Sequence, residues 1–162
     1  MMTAPHPQAK SADQPPIRRL VLACGNTLRG DDGVAWHIAA QLDLISLHAG
    51  DEIVVTQQFL PEHAEQISLS NVVVFVDCSG LTDAGCVSSL SIEPTEQLPR
   101  ILTHHLDPAS LLRLALDLYG RIPPRRTVIT VGGESFGMSE ELSPAVRDAI
   151  PAATLAVQEA LR

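Results

Sequence analysis

Residues 71–76 (NVVVFV) constrain the fold most, because every residue after Asn71 is apolar and four of them are valine. A continuous apolar run of this length is typical of a β-strand that is covered on both faces. Such a strand requires packed layers on both sides of its sheet. Further strands are predicted at residues 17–24, 52–56, 85–92 and 126–131, so we expect a sheet of about five strands.

The segments between these strands carry helical signals. Residues 33–47 place apolar side chains at helical spacing, and residues 61–67 begin with a proline, which the first turn of a helix tolerates. Strands that alternate with helices predict a single three-layer α/β domain, with a mainly parallel sheet and helices on both faces.

The two later helices have recognisable ends. Asp107 and Ser143 are each followed by a proline, which combines an N-cap residue with a proline at the first helical position. Gly120 is expected to end the first of these helices. Pro151 is expected to kink or interrupt the second, because proline cannot donate to the carbonyl four residues back.

Composition limits the classes of function. The chain has 162 residues, which suits one domain over residues 17–162, preceded by a proline-rich tail at 1–16 that we expect to be disordered. A formal net charge of −8 argues against a nucleic-acid partner. No apolar run approaches the length of a membrane span, and residues 1–16 lack the apolar stretch of a signal peptide. We therefore expect a cytoplasmic protein with no membrane partner.

Polar residues cluster where predicted strands lead into helices. The loop GNTLRGDDG (residues 25–33) follows the first strand, Asp77 follows residues 71–76 directly, and residues 103–108 (THHLDP) run into the helix capped by Asp107. Open parallel sheets place their sites at the carboxyl ends of the strands. These three segments can therefore converge on one edge of the sheet.

Taken singly, each segment could be only a turn or a helix cap. Taken together, the carboxylates of Asp32 and Asp77 and the imidazole of His104 suit a divalent transition metal with open coordination positions. A competing chemistry is a pair of aspartates that share one proton and activate water. Cys78 is a conceivable nucleophile if it lies on a loop after the strand. Serine hydrolysis is disfavoured. Residues 133–137 (GESFG) match the G-x-S-x-G pattern, but the next helical signal comes only at Ser143, whereas a nucleophile elbow turns directly from a strand into a helix.

Four segments in register carry a resemblance to a known family: LVLACGNTLRGDDGVAWHIAAQL, NVVVFVDC, LTHHLDPASLL and TVGGESFGMSEELSPAVRDAI. With these segments the chain resembles the hydrogenase maturation endopeptidases, which trim the large subunit of nickel–iron hydrogenases. The resemblance covers nearly the whole sequence after the tail. It implies an endopeptidase, filed as aspartic-type, that removes a C-terminal extension from the large-subunit precursor once nickel has been inserted.

The resemblance also implies roles for particular residues. The family's metal-binding trio maps onto Asp32, Asp77 and His104, with His105 as the neighbouring alternative to His104. The family often has Glu where this chain has Asp32. Asp32 and Asp77 are the implied catalytic carboxylates, nickel is carried by the substrate, and no organic cofactor is implied.

Residues Gly132, Gly133 and Glu134 follow the last predicted strand on the same edge and could line a groove for the extension; a flexible loop is the alternative. Two other functions stay open. One is a non-catalytic checkpoint protein that reads nickel occupancy, and the other is a small hydrolase with a different peptide or amide substrate.

Overall fold

The computed structural model describes residues 18–44, 48–98 and 106–162, and within them five strands form one sheet in the order β2-β1-β3-β5-β4. The strands are β1 Arg19–Cys24, β2 Asp51–Thr56, β3 Val72–Ser79, β4 Val87–Ser91 and β5 Arg125–Gly132. β1, β2, β3 and β5 are parallel, whereas β4 pairs antiparallel with β5 at one edge. The mainly parallel, five-stranded sheet predicted from the sequence is confirmed.

Helices cover both faces of this sheet. They are α1 Val34–Leu44, α2 His63–Leu69, α3 Pro108–Tyr119 and α4 Pro144–Leu161. α1 packs with α4 over one face, and α2 packs with α3 over the other. The predicted three-layer α/β architecture is therefore confirmed. None of the helices in the described ranges combines the length and apolarity needed to cross a membrane.

β3 shows why the sheet needs both layers. Val72, Val74 and Val76 are buried in the core beneath α1 and α4, whereas Val73 and Phe75 are buried in the core beneath α2 and α3. Successive side chains of a strand point to opposite faces, so an uninterrupted apolar run supplies both cores at once.

β3 is longer than its apolar run. It pairs with β5 as far as Ser79, so Asp77 and Cys78 lie within the strand, and the expectation that they sit on a loop after it is wrong. Aspartate has little preference for strands. Here the backbone pairing of Asp77 with Thr130 decides the conformation.

The helix ends follow the sequence in α3, and α4 begins at Pro144 as predicted but lacks the expected side-chain cap and the interruption at Pro151. The carboxylate of Asp107 accepts a hydrogen bond from the backbone N–H of Ser110 at 2.7 Å, and Gly120 ends α3 with a left-handed φ of 67°. Ser143 precedes α4 but makes no side-chain cap, and α4 continues through Pro151 without interruption. The hydroxyl of Ser143 is engaged elsewhere, by Asp31.

Asp31 joins the loop after β1 (residues 25–33) to the loop after β5 (residues 133–143). Its side chain is fully buried, and its carboxylate accepts hydrogen bonds from the backbone N–H groups of Glu134, Ser135 and Ser143 at 2.7–2.9 Å. The Ser143 hydroxyl donates a fourth hydrogen bond at 2.8 Å. We refer to this set of contacts as the Asp31 clamp.

Backbone contacts reinforce the Asp31 clamp. The N–H of Gly30 donates to the carbonyl of Ser139 at 2.6 Å, and the N–H of Ser139 donates to the carbonyl of Leu28 at 3.1 Å. Gly30 has a φ of +56°, and a Cβ there would lie 2.5 Å from the carbonyl oxygen of Ser135. Only glycine tolerates both the conformation and the close approach.

The predicted tail at residues 1–16, together with His104 and His105, lies outside the described residues, and those expectations remain predictions.

The Asp31 clamp predicts a large effect of Asp31→Asn on stability. Burial alone would raise the pKa of Asp31, but the four hydrogen bonds outweigh it and lower the pKa. An amide nitrogen cannot accept hydrogen bonds, so Asp31→Asn leaves buried donors without a partner. We expect the free energy of unfolding, measured by urea denaturation at pH 7, to fall by about 3 kcal/mol.

The control is Asp32→Asn, because Asp32 is only partly buried and receives a single described hydrogen bond, which the amide oxygen can keep. Because the pKa of Asp31 is lowered on folding, its contribution is complete above about pH 4 and is lost as the pH falls through the folded pKa. Equal stabilities of the two variants at pH 7 would contradict the clamp.

Candidate active site

The sheet reverses its direction of winding between β1 and β3. The chain leaves β1 through α1 to reach β2 on one side, whereas β3 lies on the other side of β1. In open α/β sheets, ligands bind in the crevice that such a reversal opens at the carboxyl ends of the strands. The loop at residues 25–33 and the end of β3 border this crevice, so the structure places Asp32 and Asp77 where the sequence predicted a site.

Asp77 faces the layer formed by α2 and α3, the same side of β3 as Val73 and Phe75. It lines a cleft of about 240 Å³. The walls of the cleft are Cys24, Gln57, Gln58, Phe59, Leu106, Asp107 and Pro108. This cleft lies at the carboxyl end of the sheet, beside the amino terminus of α3.

The environment of Asp77 disfavours its charge. Burial is the largest cause that raises its pKa, and the negative charge of Asp32 raises it further. The backbone N–H of Cys78 donates to Asp77 Oδ1 at 2.8 Å and works in the opposite direction. The net result is a pKa of about 6, so near neutral pH Asp77 can give up or take a proton readily.

Asp32 and Asp31 are adjacent in sequence but have different surroundings. A short 3₁₀ turn at Gly30–Gly33 carries both, and it directs Asp31 into the Asp31 clamp. Asp32 is half-buried and accepts one hydrogen bond, from the backbone N–H of Asn26 to Oδ2 at 2.8 Å. Gly25 permits this turn, because a Cβ there would lie 1.9 Å from the carbonyl oxygen of Asp32.

Two thiols border the carboxylates on opposite faces of the sheet. Burial, with added repulsion from Asp32 and Asp77, raises the pKa of both Cys24 and Cys78 to about 12. Thiols with such pKa values stay protonated at neutral pH, whereas a nucleophilic cysteine needs a lowered pKa. The conceivable role of Cys78 as a nucleophile is therefore disfavoured.

The predicted substrate-binding residues divide into buried and exposed members. Gly132 and Gly133 are buried, and a Cβ on Gly133 would lie 2.8 Å from the sulfur of Cys78 and 3.0 Å from the Cβ of Asp31. Glu134 is exposed, and its backbone N–H donates to Asp31. The Asp31 clamp therefore ties this loop down, and its contact with a substrate stays a prediction.

Sequence reasoning missed Gln57 and Gln58, which follow β2 and line the cleft with Asp77. The same rule that selected Asp77 could have found them, because they follow a parallel strand at its carboxyl end. Sequence reasoning also assigned no role to Asp31. Apart from the resemblance, which selected Asp32, no sequence signal separates the two aspartates, since the turn decides which one is buried.

A metal site needs more than the two carboxylates. Within the described residues no three His, Cys, Asp or Glu side chains are arranged to hold a metal ion, and the third predicted ligand, His104, lies outside them. Leu106 and Asp107, which follow His104 closely, line the cleft with Asp77. The oxygen donors of Asp32 and Asp77, with the position of His104 just before this segment of the chain, are of the kind that suits a divalent cation.

The raised pKa of Asp77 predicts that Asp77→Asn stabilises the fold. The pKa of this carboxyl group rises from about 3.9 in the unfolded chain to about 6 in the folded protein. The folded protein therefore loses stability as the pH rises from the lower to the higher of these two values. At pH 8 we expect the free energy of unfolding of Asp77→Asn to exceed that of the parent protein by on the order of 1 kcal/mol, a figure that allows for the partial exposure of Asp77. At pH 3.5 the two proteins should be equally stable in urea denaturation. A variant that is less stable at pH 8 would contradict the electrostatic account.

Comparison with solved structures identifies relatives over almost the whole chain. No protein-family model matches the sequence, and no curated protein matches it in a sequence search. The hydrogenase-maturating endopeptidase HybD from E. coli is 26% identical with a TM-score of 0.73, over 90% of this chain and 93% of its own. The hydrogenase 2 maturation peptidase from Thaumarchaeota archaeon SCGC_AB-539-E09 is 28% identical with a TM-score of 0.67, over 89% of this chain and 97% of its own.

A third structure, the [NiFe] hydrogenase maturation protease HycI from Thermococcus kodakarensis KOD1, shares the fold at 21% identity and a TM-score of 0.66. It matches 89% of this chain and 92% of its own. The resemblance that the four sequence segments predicted is therefore confirmed, and the structural relatives of this chain are the hydrogenase maturation endopeptidases.

Proposed function

We propose that this chain is an endopeptidase that removes the C-terminal extension from the large-subunit precursor of a nickel–iron hydrogenase after nickel has been inserted. One observation carries the proposal. Asp77, whose pKa is raised in part by the charge of Asp32, lies with Asp32 at the sheet reversal of a fold that is shared with two hydrogenase maturation peptidases over about nine-tenths of the chain.

Peptide hydrolysis needs a group that takes a proton from water and returns it. In the proposed reaction water adds to the scissile carbonyl while a carboxylate, Asp77 or Asp32, accepts its proton. The C–N bond then breaks, and the proton passes to the leaving amine. A pKa of about 6 suits Asp77 to both transfers at neutral pH.

The nickel ion of the precursor enters this scheme as part of the substrate. We propose that Asp32, Asp77 and His104 contact it, so that only a nickel-loaded precursor is positioned for cleavage. A cation beside Asp77 would offset the repulsion from Asp32 and favour the ionised carboxylate. Gln57 and Gln58 offer amide groups that can both donate to and accept from the backbone of the extension.

The test is to incubate the purified protein with nickel-loaded precursor and to follow the mass of the precursor's C-terminus. We expect a single loss of mass for the loaded precursor, and none for nickel-free precursor or for an isolated peptide of the extension. Asp77→Asn and Asp32→Asn should each slow cleavage at least about 100-fold, since each removes a proton acceptor or ligand.

Asp148→Asn, on the exposed face of α4, is the matched control and should cleave normally. Measured as kcat/KM, which reports the free protein, the rate should rise as the pH increases through about 6, because protonation of Asp77 removes the acceptor. Comparable cleavage of nickel-free and loaded precursor would overturn the recognition of metal, and cleavage by Asp77→Asn at the normal rate would overturn the role of the carboxylate.

His104 and His105 give a separate prediction. We expect His104→Ala to abolish processing without loss of stability, whereas His105→Ala should retain most activity. Losing one of three contacts to the metal removes the site, whereas His105 has no contact with the metal to lose in this assignment. Rates and melting temperatures of both variants decide between them. An inactive His105→Ala with a normal His104→Ala would shift the assignment by one residue.

A further inference from the structure

Large apolar side chains are exposed on the loops at the carboxyl edge of the sheet, the edge that also carries Asp32 and Asp77. Leu81 is 97% exposed, Met138 is 94% exposed and Leu28 is 53% exposed. Each follows the carboxyl end of a different strand: Leu28 follows β1, Leu81 follows β3 and Met138 follows β5. Large apolar side chains grouped on an exposed surface mark interaction sites.

Contacts between the loops bring these side chains onto one surface. Ser139, next to Met138, donates its N–H to the carbonyl of Leu28 at 3.1 Å. Gly80, next to Leu81, lies against the ring of Phe136, where a Cβ would be 3.3 Å from Cε2. We call Leu28, Leu81, Phe136 and Met138 the apolar rim.

The Asp31 clamp holds the segment that carries Phe136 and Met138 at both of its ends, through Glu134 and Ser135 on one side and Ser143 on the other. The apolar rim is therefore presented on fixed backbone. A surface that is already ordered loses less conformational entropy when a partner binds.

The loops after β3 and β5 carry mainly negative charge. Segments 80–86 and 133–143 contain four carboxylates, all exposed, and no lysine or arginine. The four are Asp83, Glu134, Glu140 and Glu141, which we call the rim acids. Arg29, in the loop after β1, is the basic neighbour. Apolar side chains bordered by charges of one sign fit a partner surface bordered by the opposite charge.

We propose that the apolar rim and the rim acids form the surface on which the folded body of the precursor docks, through an apolar patch bordered by lysine and arginine side chains. This inference rests on the proposed function and states which surface of the protein holds the precursor. It separates two tasks: the carboxylates of the cleft act on the extension, whereas the rim binds the protein from which the extension emerges.

Binding can be measured apart from cleavage. Nickel-loaded precursor is immobilised, and equilibrium binding is followed by biolayer interferometry, with every protein carrying Asp77→Asn so that bound precursor is not cut. We expect the double substitution Leu81→Glu with Met138→Glu to weaken binding about tenfold or more. Glu140→Lys with Glu141→Lys should also weaken it, and added salt should reduce the difference between this variant and the parent protein.

Leu118→Glu is the matched control, because Leu118 is 62% exposed near the end of α3 and away from the carboxyl edge of the sheet. It should bind as the parent protein does. All these positions are exposed, so melting temperatures should stay close to that of the parent.

Each outcome decides a different point. Binding that depends on the rim, without cleavage by the natural protein, would support docking and overturn the proposed protease. Cleavage with equal binding of the rim variants and Leu118→Glu would overturn docking alone. If sedimentation shows that the rim substitutions turn a dimer into a monomer, the rim binds a second copy of this chain, and the proposed partner is wrong.

Discussion

The buried carboxylate of Asp31 is the interaction on which the functional edge of this protein depends. A charge removed from water is stable only when hydrogen bonds replace its hydration. Here the donors come from the loop after β5, whereas the carboxylate belongs to the loop after β1. The same contacts therefore offset the free-energy cost of burying the charge and hold the loop after β1 against the loop after β5. Asp32 and three of the four residues of the apolar rim lie on these two loops, which would otherwise be free to move separately.

Three aspartates at this edge show how surroundings assign roles to one side chain. Asp31 receives four hydrogen bonds and its pKa is lowered, so it is held as a structural anion. Asp77 receives one hydrogen bond in a less polar setting, and its pKa rises to about 6. Asp32 supplies part of that rise while remaining half-buried. Different burial and hydrogen bonding thus separate a structural anchor from a carboxyl group that titrates near neutral pH, and the ionised form of the latter costs stability.

Local signals were sufficient to predict most of the architecture. The apolar run before Asp77, the cap at Asp107 and the stop at Gly120 each depend on neighbours in sequence, and the structure confirms all three. The predictions that failed depend on partners far along the chain. β3 extends through Ser79 because β5 pairs with it. The hydroxyl of Ser143 does not cap α4 because it donates to Asp31, 112 residues earlier.

The sequence by itself determined the layered fold, the edge of the sheet on which Asp32 and Asp77 lie and the resemblance to a family of endopeptidases. Periodicity and strand-to-helix order carry that information, and both are local. Only the tertiary structure decided which aspartate of the pair at residues 31–32 is buried, because the turn that separates them is held by the loop after β5. It also decided the raised pKa of Asp77 and the grouping of Leu28, Leu81 and Met138. These properties depend on burial and on distances between loops, which arise only when the sheet brings its strand ends together.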